Sequence, residues 1–154
     1  MSLPDLYLVS KLSAADAHHE AMALPLAEAV QQLVDLLGAT TVAGIAGVRE
    51  TRAVQQWITG EREPQRPHVL RFDLQLALMI SSLASRDMAR AWFHGSNPHL
   101  DDEVPIVLLR DRSLESIQVP LMAAVRSFAA RNGETKQVVS SNESLTRAHH
   151  FTVR

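Results

Sequence analysis

Apolar and polar positions first alternate with the period of an α-helix after Pro25. Leu26, Val30 and Leu33 recur three or four residues apart, and polar residues occupy the opposite side. Proline suits the start of a helix and glycine its end, so Pro25 and Gly38 are the natural boundaries. The pattern predicts one amphipathic helix between them.

Two shorter helices are predicted next. Residues 39–47 are mostly small and end in Gly47, and small residues let another helix approach closely. Residues 51–60 place Val54 and Trp57 on one side and end in Gly60, which can stop a helix in the left-handed conformation.

A longer apolar helix follows the break at residues 64–67. Residues 69–83 are apolar almost all round, which is typical of a helix buried on several sides. We expect the surplus apolar face to be covered by a second copy of the chain, as a homodimer through the helix of residues 68–84. Residues 85–87 are expected to break or bend this helix.

The stretch from Trp92 to Arg110 is predicted to be a helix, a tight turn and a new helix. Gly95 is expected to close the first helix in the left-handed conformation, and Pro98 prevents its continuation. Pro105 suits the first position of the next helix. A final helix is predicted beyond it, interrupted near Pro120 and stopped at residues 132–133.

These elements predict an all-α chain with a helix-turn-helix N-terminal domain and a small helical C-terminal domain. The predicted divisions are an N-terminal arm (1–24), a helix-turn-helix domain (25–66), a dimerisation helix with the C-terminal domain (67–131) and a flexible tail (132–154).

Composition narrows the functional classes. The chain of 154 residues has no cysteine, which excludes disulfides and thiolate metal sites. Its N-terminus has neither a basic flank nor a sustained apolar run, so we expect a cytoplasmic protein with no membrane partner. The formal net charge is −2, so any binding of DNA needs a local basic surface.

The second and third predicted helices resemble the Xre-type helix-turn-helix. In that family the last helix ends in Trp-x-x-Gly before a proline, which corresponds here to Trp57, Gly60 and Pro64. The turn is about one residue longer than the common pattern. The resemblance implies binding to operator DNA through the helix of residues 51–60.

Candidate DNA contacts are the polar residues on the exposed side of this helix and just after it. Arginine can bind guanine through two hydrogen bonds, and glutamine can bind adenine in the same way. Three glutamates, at positions 50, 61 and 63, dilute the positive charge. The candidates for base or backbone contact are Arg49, Thr51, Arg52, Gln55 and Gln56, with Arg62, Arg66 and Arg71 for phosphates.

The predicted turn and the helix after it resemble the C-terminal domain of the MbcA/ParS/Xre antitoxins. The matching positions are Trp92, Asn97, Pro98, Leu100, Pro105, Leu108 and Leu109. The chain departs from the family at Asp101-Asp102-Glu103, where small residues are usual. The resemblance implies an antitoxin that binds a RES-domain, NAD-consuming toxin and represses its own operon.

Family antitoxins contact the toxin through the region after the second proline, which here is residues 106–131. The expected exposed contacts are Arg110, Arg112 and Arg126. The alternative is a stand-alone helix-turn-helix regulator or adaptor with no toxin, whose tail serves another partner.

No set of residues in the sequence has the pattern of a catalytic site. There is no Gly-rich phosphate loop, no His-x-x-x-His and no nucleophile elbow, so we expect no enzymatic activity and no cofactor. The acidic residues 101–103 with His94 and His99 form the only dense cluster of possible metal ligands. Adjacent carboxylates on a loop usually face water, so we expect no metal site.

Overall fold

The protein folds as a helical bundle in a computed structural model that describes residues 13–132. Within this range there are eight α-helices, a short 3₁₀ turn and no strand, so the all-α prediction is confirmed for the described residues. The helices are α1 (Ala14–Ala23), α2 (Leu26–Leu37), α3 (Ala39–Ala46), α4 (Thr51–Thr59), α5 (Pro67–Leu83), α6 (Arg86–His94), α7 (Pro105–Asp111) and α8 (114–132). The 3₁₀ turn is Pro98–Leu100.

Most predicted helix ends are confirmed. Pro25 precedes the first turn of α2, and Pro105 occupies the first turn of α7. Gly47 ends α3 with φ 75°, and Gly60 ends α4 with φ 81°, both in the left-handed region that favours glycine. Each of these helix ends depends only on local backbone conformation, because proline fixes its φ angle and glycine can adopt a positive φ angle.

Helix α1 lies in the region that the sequence predicted as an arm. It packs against α5 and buries Ala17 and Ala21 completely or nearly so. Arg71 on α5 donates hydrogen bonds from Nη1 to the carbonyl oxygens of Ala21 (2.9 Å) and Leu24 (2.7 Å). Small side chains allow the close approach, and the cation satisfies carbonyls at the C-terminal end of α1. Residues 14–23 are therefore part of the core, which the arm prediction did not anticipate.

Helix α5 is the centre of the bundle. Every residue from Phe72 to Ile80 is buried, and α1, α2, α3 and α6 pack around the helix. The predicted homodimer rested on an apolar face that the monomer's own helices could not cover. The helices of a single chain do cover this apolar face. The homodimer therefore stays a prediction, but an uncovered face of α5 no longer supports it.

The ends of α6 and the course of α8 differ from the sequence predictions. Gly95 has φ −92° and ψ 152°, so it is extended and not left-handed, and its N–H donates to the carbonyl of Ala91 at 3.0 Å. The turn takes its left-handed residues later, at Asp101 (φ 54°) and Asp102 (φ 63°). The predicted interruption at Pro120 is wrong, because α8 continues through it. Pro120 and the two residues before it are exposed to solvent. Water can therefore hydrogen-bond to the helix carbonyl that has no N–H partner because proline lacks one.

Two remaining predictions concern the ends of the chain and the membrane. Apart from Asn132, the predicted tail (132–154) lies outside the described residues, as do the first twelve residues of the predicted arm. In the part of the chain that is described, no single helix has the length and apolar character to cross a membrane. The pair α2 and α3, bent by 119°, meets that test only when the two are taken together.

Candidate functional site

The predicted DNA-binding helix α4 has one buried and one exposed side. Val54 is fully buried and Trp57 is 8% exposed, and both contribute to the hydrophobic core. Thr51, Arg52 and Gln55 are exposed on the other side of the helix. A turn of residues 47–50 joins α3 to α4, and the two helices pack on each other and on α2. The three polar side chains are thus held on a supported helix and remain open to a partner.

The other candidates around α4 have different environments. Arg49 is exposed in the turn before the helix, and Arg62 is exposed just after it. Gln56 is half-buried and faces a cavity between α4 and α5. The exposed basic surface therefore consists of Arg49, Arg52 and Arg62, with Gln56 turned away from it.

Arg66 and Arg71, two candidates for phosphate contacts, bind backbone within the protein. Arg66 donates from Nη1 to the carbonyls of Leu109 (3.1 Å) and Arg110 (3.0 Å) and from Nη2 to that of Arg112 (2.8 Å). It thereby satisfies carbonyls at the C-terminal end of α7. Arg71 satisfies the end of α1 in the same way. Both arginines join parts of the fold, so we remove them from the predicted DNA-contact set.

A cavity of about 360 Å³ lies between the end of α3, the inner side of α4 and the start of α5. Its floor is apolar and includes Ile45, Trp57 and Leu70. Arg62 and Glu63 line its mouth and are exposed. The sequence analysis did not predict this cavity, because its wall comes from three helices and the segment between α4 and α5.

Asn97 organises the turn that carries the second resemblance. Its side-chain oxygen accepts the N–H of His99 at 2.9 Å, and its backbone carbonyl accepts the N–H groups of Leu100 and Asp102, both at 2.9 Å. Its own N–H donates to the carbonyl of Glu103 at 3.1 Å. Asn97 is 5% exposed, so these hydrogen bonds replace the water that its polar groups lose. The turn is ordered from residue 97 to residue 103.

The three predicted partner contacts lie near this turn, with Arg110 on α7, Arg112 directly after α7 and Arg126 on α8. Arg110 pairs with Asp111 on α7, with Nε and Oδ1 2.8 Å apart, and Arg112 approaches Glu103 of the turn at 3.5 Å. The hydrogen bond with Asp111 raises the pKa of Arg110, and the same bond lowers the pKa of Asp111. Arg126 is exposed on α8, which meets the turn where Ser127 Oγ and His99 Nε2 are 2.7 Å apart.

The remaining motif positions are mostly buried. Leu100, Leu108, Leu109, Trp92 and Pro105 contribute to the interior, whereas Pro98 is exposed. Trp92 packs edge to face against Phe93, with ring centroids 5.0 Å apart. The buried positions support the turn from beneath, whereas Pro98 is part of its surface.

His94 and His99, the histidines of the cluster of possible metal ligands, have separate partners. His94 Nε2 is 2.9 Å from Thr41 Oγ1, whereas His99 contacts Ser127. Among residues 13–132, no group of three or more histidine and carboxylate side chains is placed to hold a metal ion.

One buried carboxyl was missed by the sequence analysis. Asp73 on α5 is fully buried, and within the described range neither of its side-chain oxygens has a hydrogen-bond partner. Burial raises the pKa of Asp73 well above its ordinary value. An aspartate inside the apolar run 72–80 is the signal that could have identified it.

Comparisons of the chain with models of protein families, with curated proteins and with solved structures find no match.

Proposed function

We propose that this protein is a cytoplasmic antitoxin that binds operator DNA through α4 and a RES-domain toxin through the region of α7 and α8. The observation that carries the DNA part is the two-sided character of α4. Arg52 and Gln55 are exposed, whereas Val54 and Trp57 anchor the opposite side in the core. Arginine and glutamine are side chains that can read base edges in the major groove.

The charge around α4 suits a site-specific contact better than a general affinity for nucleic acid. Arg49, Arg52 and Arg62 are exposed, but so are the glutamates at positions 50, 61 and 63. Few phosphates can be neutralised by such a surface, so we expect a shallow dependence of affinity on salt. Most of the binding energy then has to come from contacts of the exposed side of α4.

The proposed binding of a toxin rests on two features of the turn of residues 97–103. One is its resemblance to the antitoxin family, and the other is the set of hydrogen bonds that hold its conformation. Asn97 holds residues 97–103 through both its backbone and its side chain, and Leu100 and Leu109 are buried beneath. Arg110 and Arg126 are exposed next to this supported region. A pre-ordered surface loses little conformational entropy on binding, which favours a protein partner.

A gel-shift titration with DNA from upstream of the gene tests the first part. Replacing Arg52 and Gln55 together by alanine should weaken binding by at least about tenfold, since each base contact contributes about 1–3 kcal/mol. The matched control replaces exposed residues of the same types, Arg86 on α6 and Gln118 on α8, by alanine. Equal affinity of the double variant and the control would exclude α4 as the recognition helix.

Co-expression with the product of the neighbouring reading frame tests the second part. A RES-type toxin should co-purify with the chain and stop consuming NAD in the complex. Replacement of Arg110 and Arg126 by glutamate should weaken co-purification, whereas Arg86→Glu should not.

Acidic residues at positions 101–103 favour the second candidate, a stand-alone regulator, because the antitoxin family usually has small residues there. All three are exposed. An operator shift without any co-purifying toxin would support this candidate and refute the antitoxin.

A further inference from the structure

The cavity beside α4 is the feature of this fold that the proposed function leaves unused. Its volume of about 360 Å³ lies at the small end of the range of ligand sites, which is about 300–1,000 Å³. It is bounded by the last turn of α3, by α4 and by the first turn of α5.

The inner part of the cavity offers an apolar surface. Ile45 and Leu70 are each at most 1% exposed, and Trp57 is 8% exposed. Val48 is half-buried and forms a further apolar wall. An apolar group of a ligand would displace water from this surface, which is favourable.

The charged side chains that line the cavity are Arg62, Glu63 and Arg66. The guanidinium of Arg66 already donates to three carbonyls at the end of α7, so the mouth presents one uncommitted positive and one uncommitted negative side chain. Arg62 and Glu63 both line it and both are exposed. Across residues 13–132 neither side chain has a salt bridge or a hydrogen bond, and the two do not pair with each other within 4.0 Å. Both charges are therefore available to a ligand.

We propose that this cavity binds a small zwitterion with an apolar side chain, of the chemical class of a free apolar α-amino acid. Arg62 holds the carboxylate, Glu63 holds the ammonium group, and the side chain lies against Ile45, Val48 and Leu70. A purely anionic ligand would meet the charge of Glu63, and a purely cationic one that of Arg62. Only a molecule with both charges pairs with each side chain.

The position of the site gives it a regulatory role if the proposed DNA binding holds. The ligand contacts the turn at Val48 and the inner side of α4 at Trp57. It also contacts the start of α5, so its binding favours one angle of α4 over others. A ligand can shift such an equilibrium only by its difference in affinity for the two states. Ligand binding itself does not depend on the proposed function.

Titration of the full-length protein with L-leucine, followed by amide chemical shifts in heteronuclear NMR, tests the site directly. Saturable shifts at millimolar leucine should centre on Gly47, Val48 and Trp57. N-acetyl-L-leucine, which lacks the ammonium group, and L-leucinamide, which lacks the carboxylate, should each bind at least about tenfold more weakly, the effect expected when one charged hydrogen bond is lost.

Variants at the mouth separate the two charges. Arg62→Gln should weaken leucine but not leucinamide, and Glu63→Gln should weaken leucine but not N-acetyl-leucine. Arg86→Gln and Glu115→Gln make the same changes on exposed residues outside the cavity and are the controls.

Two results would overturn the proposal. One is the absence of shifts at these residues with millimolar leucine, and the other is equal binding of leucine and its two blocked forms. A gel shift with and without leucine then tests the regulatory step separately. Leucine binding with unchanged DNA affinity would overturn that step alone, and loss of all DNA binding would not affect the site.

Discussion

Asp73→Asn is expected to change how the stability of this protein depends on pH. The carboxyl of Asp73 is fully buried in α5 and, among the described residues, no donor reaches either oxygen. Asparagine has nearly the same shape and stays polar, but it cannot lose a proton. The variant therefore isolates the titration of this carboxyl from its size and polarity.

The sign of the effect follows from the direction of the pKa shift. Burial raises the pKa of Asp73 in the folded protein well above the ordinary value of 3.8. Below that value both states hold the proton, and its titration costs no stability. As the pH rises further, the unfolded chain releases the proton first, so the wild type loses stability until the pH passes the folded pKa.

The size of this loss is set by one proton. Its maximum slope is about 1.4 kcal/mol per pH unit. The free energy of unfolding of the Asp73→Asn variant, minus that of the wild type, should therefore grow with pH at up to this slope, beginning near pH 4. At neutral pH the variant should be the more stable protein.

Urea unfolding at a series of pH values, monitored by circular dichroism, measures this difference. Asp101→Asn is the control, because it makes the same chemical change on an exposed residue. Its difference from wild type should stay nearly constant over the same range. A constant difference for Asp73→Asn as well would refute the burial of an unpaired carboxyl in α5.

Three further changes test individual parts of the fold. Trp57→Ala should lower the free energy of unfolding by about 3–5 kcal/mol, because it removes a buried aromatic ring, and an unchanged melting curve would contradict that burial. Arg66→Ala should cost about 1.5–3 kcal/mol in urea unfolding through the carbonyls it leaves without a charged donor, whereas Arg62→Ala, the exposed control, should cost little. Gly60→Ala should cost about 1–2 kcal/mol from its left-handed φ alone, since no other atom lies within 4 Å of the added carbon. Gly60→Asn should melt closer to wild type, and equal loss in both variants would mean that φ is not the cause.

Predictions about α4 agree with the structure because they used two strong local signals. Val54 and Trp57 are three residues apart and face the core, and Thr51, Arg52 and Gln55 are exposed. The helical period alone gives this separation. The period cannot show that Gln56 turns toward a cavity, because the opposite wall is built by α5.

Predictions about charged residues were less successful. Arg52 and Arg66 are both arginines near the same predicted helix, and nothing in the local sequence separates their roles. Arg52 is exposed, whereas Arg66 donates three hydrogen bonds to α7. The carbonyls that it satisfies lie 43 to 46 residues further along the chain.

The sequence by itself determined the helical class and most helix ends, because these depend on the period of apolar residues and on the backbone angles of proline and glycine. Only the tertiary structure decided that α1 joins the core, that the chain's own helices cover α5, and that Asp73 has no hydrogen-bond partner among residues 13–132. Each of these outcomes depends on which distant residues meet. Local patterns carry no information about that, because the same apolar face can be buried by the chain itself or by another molecule.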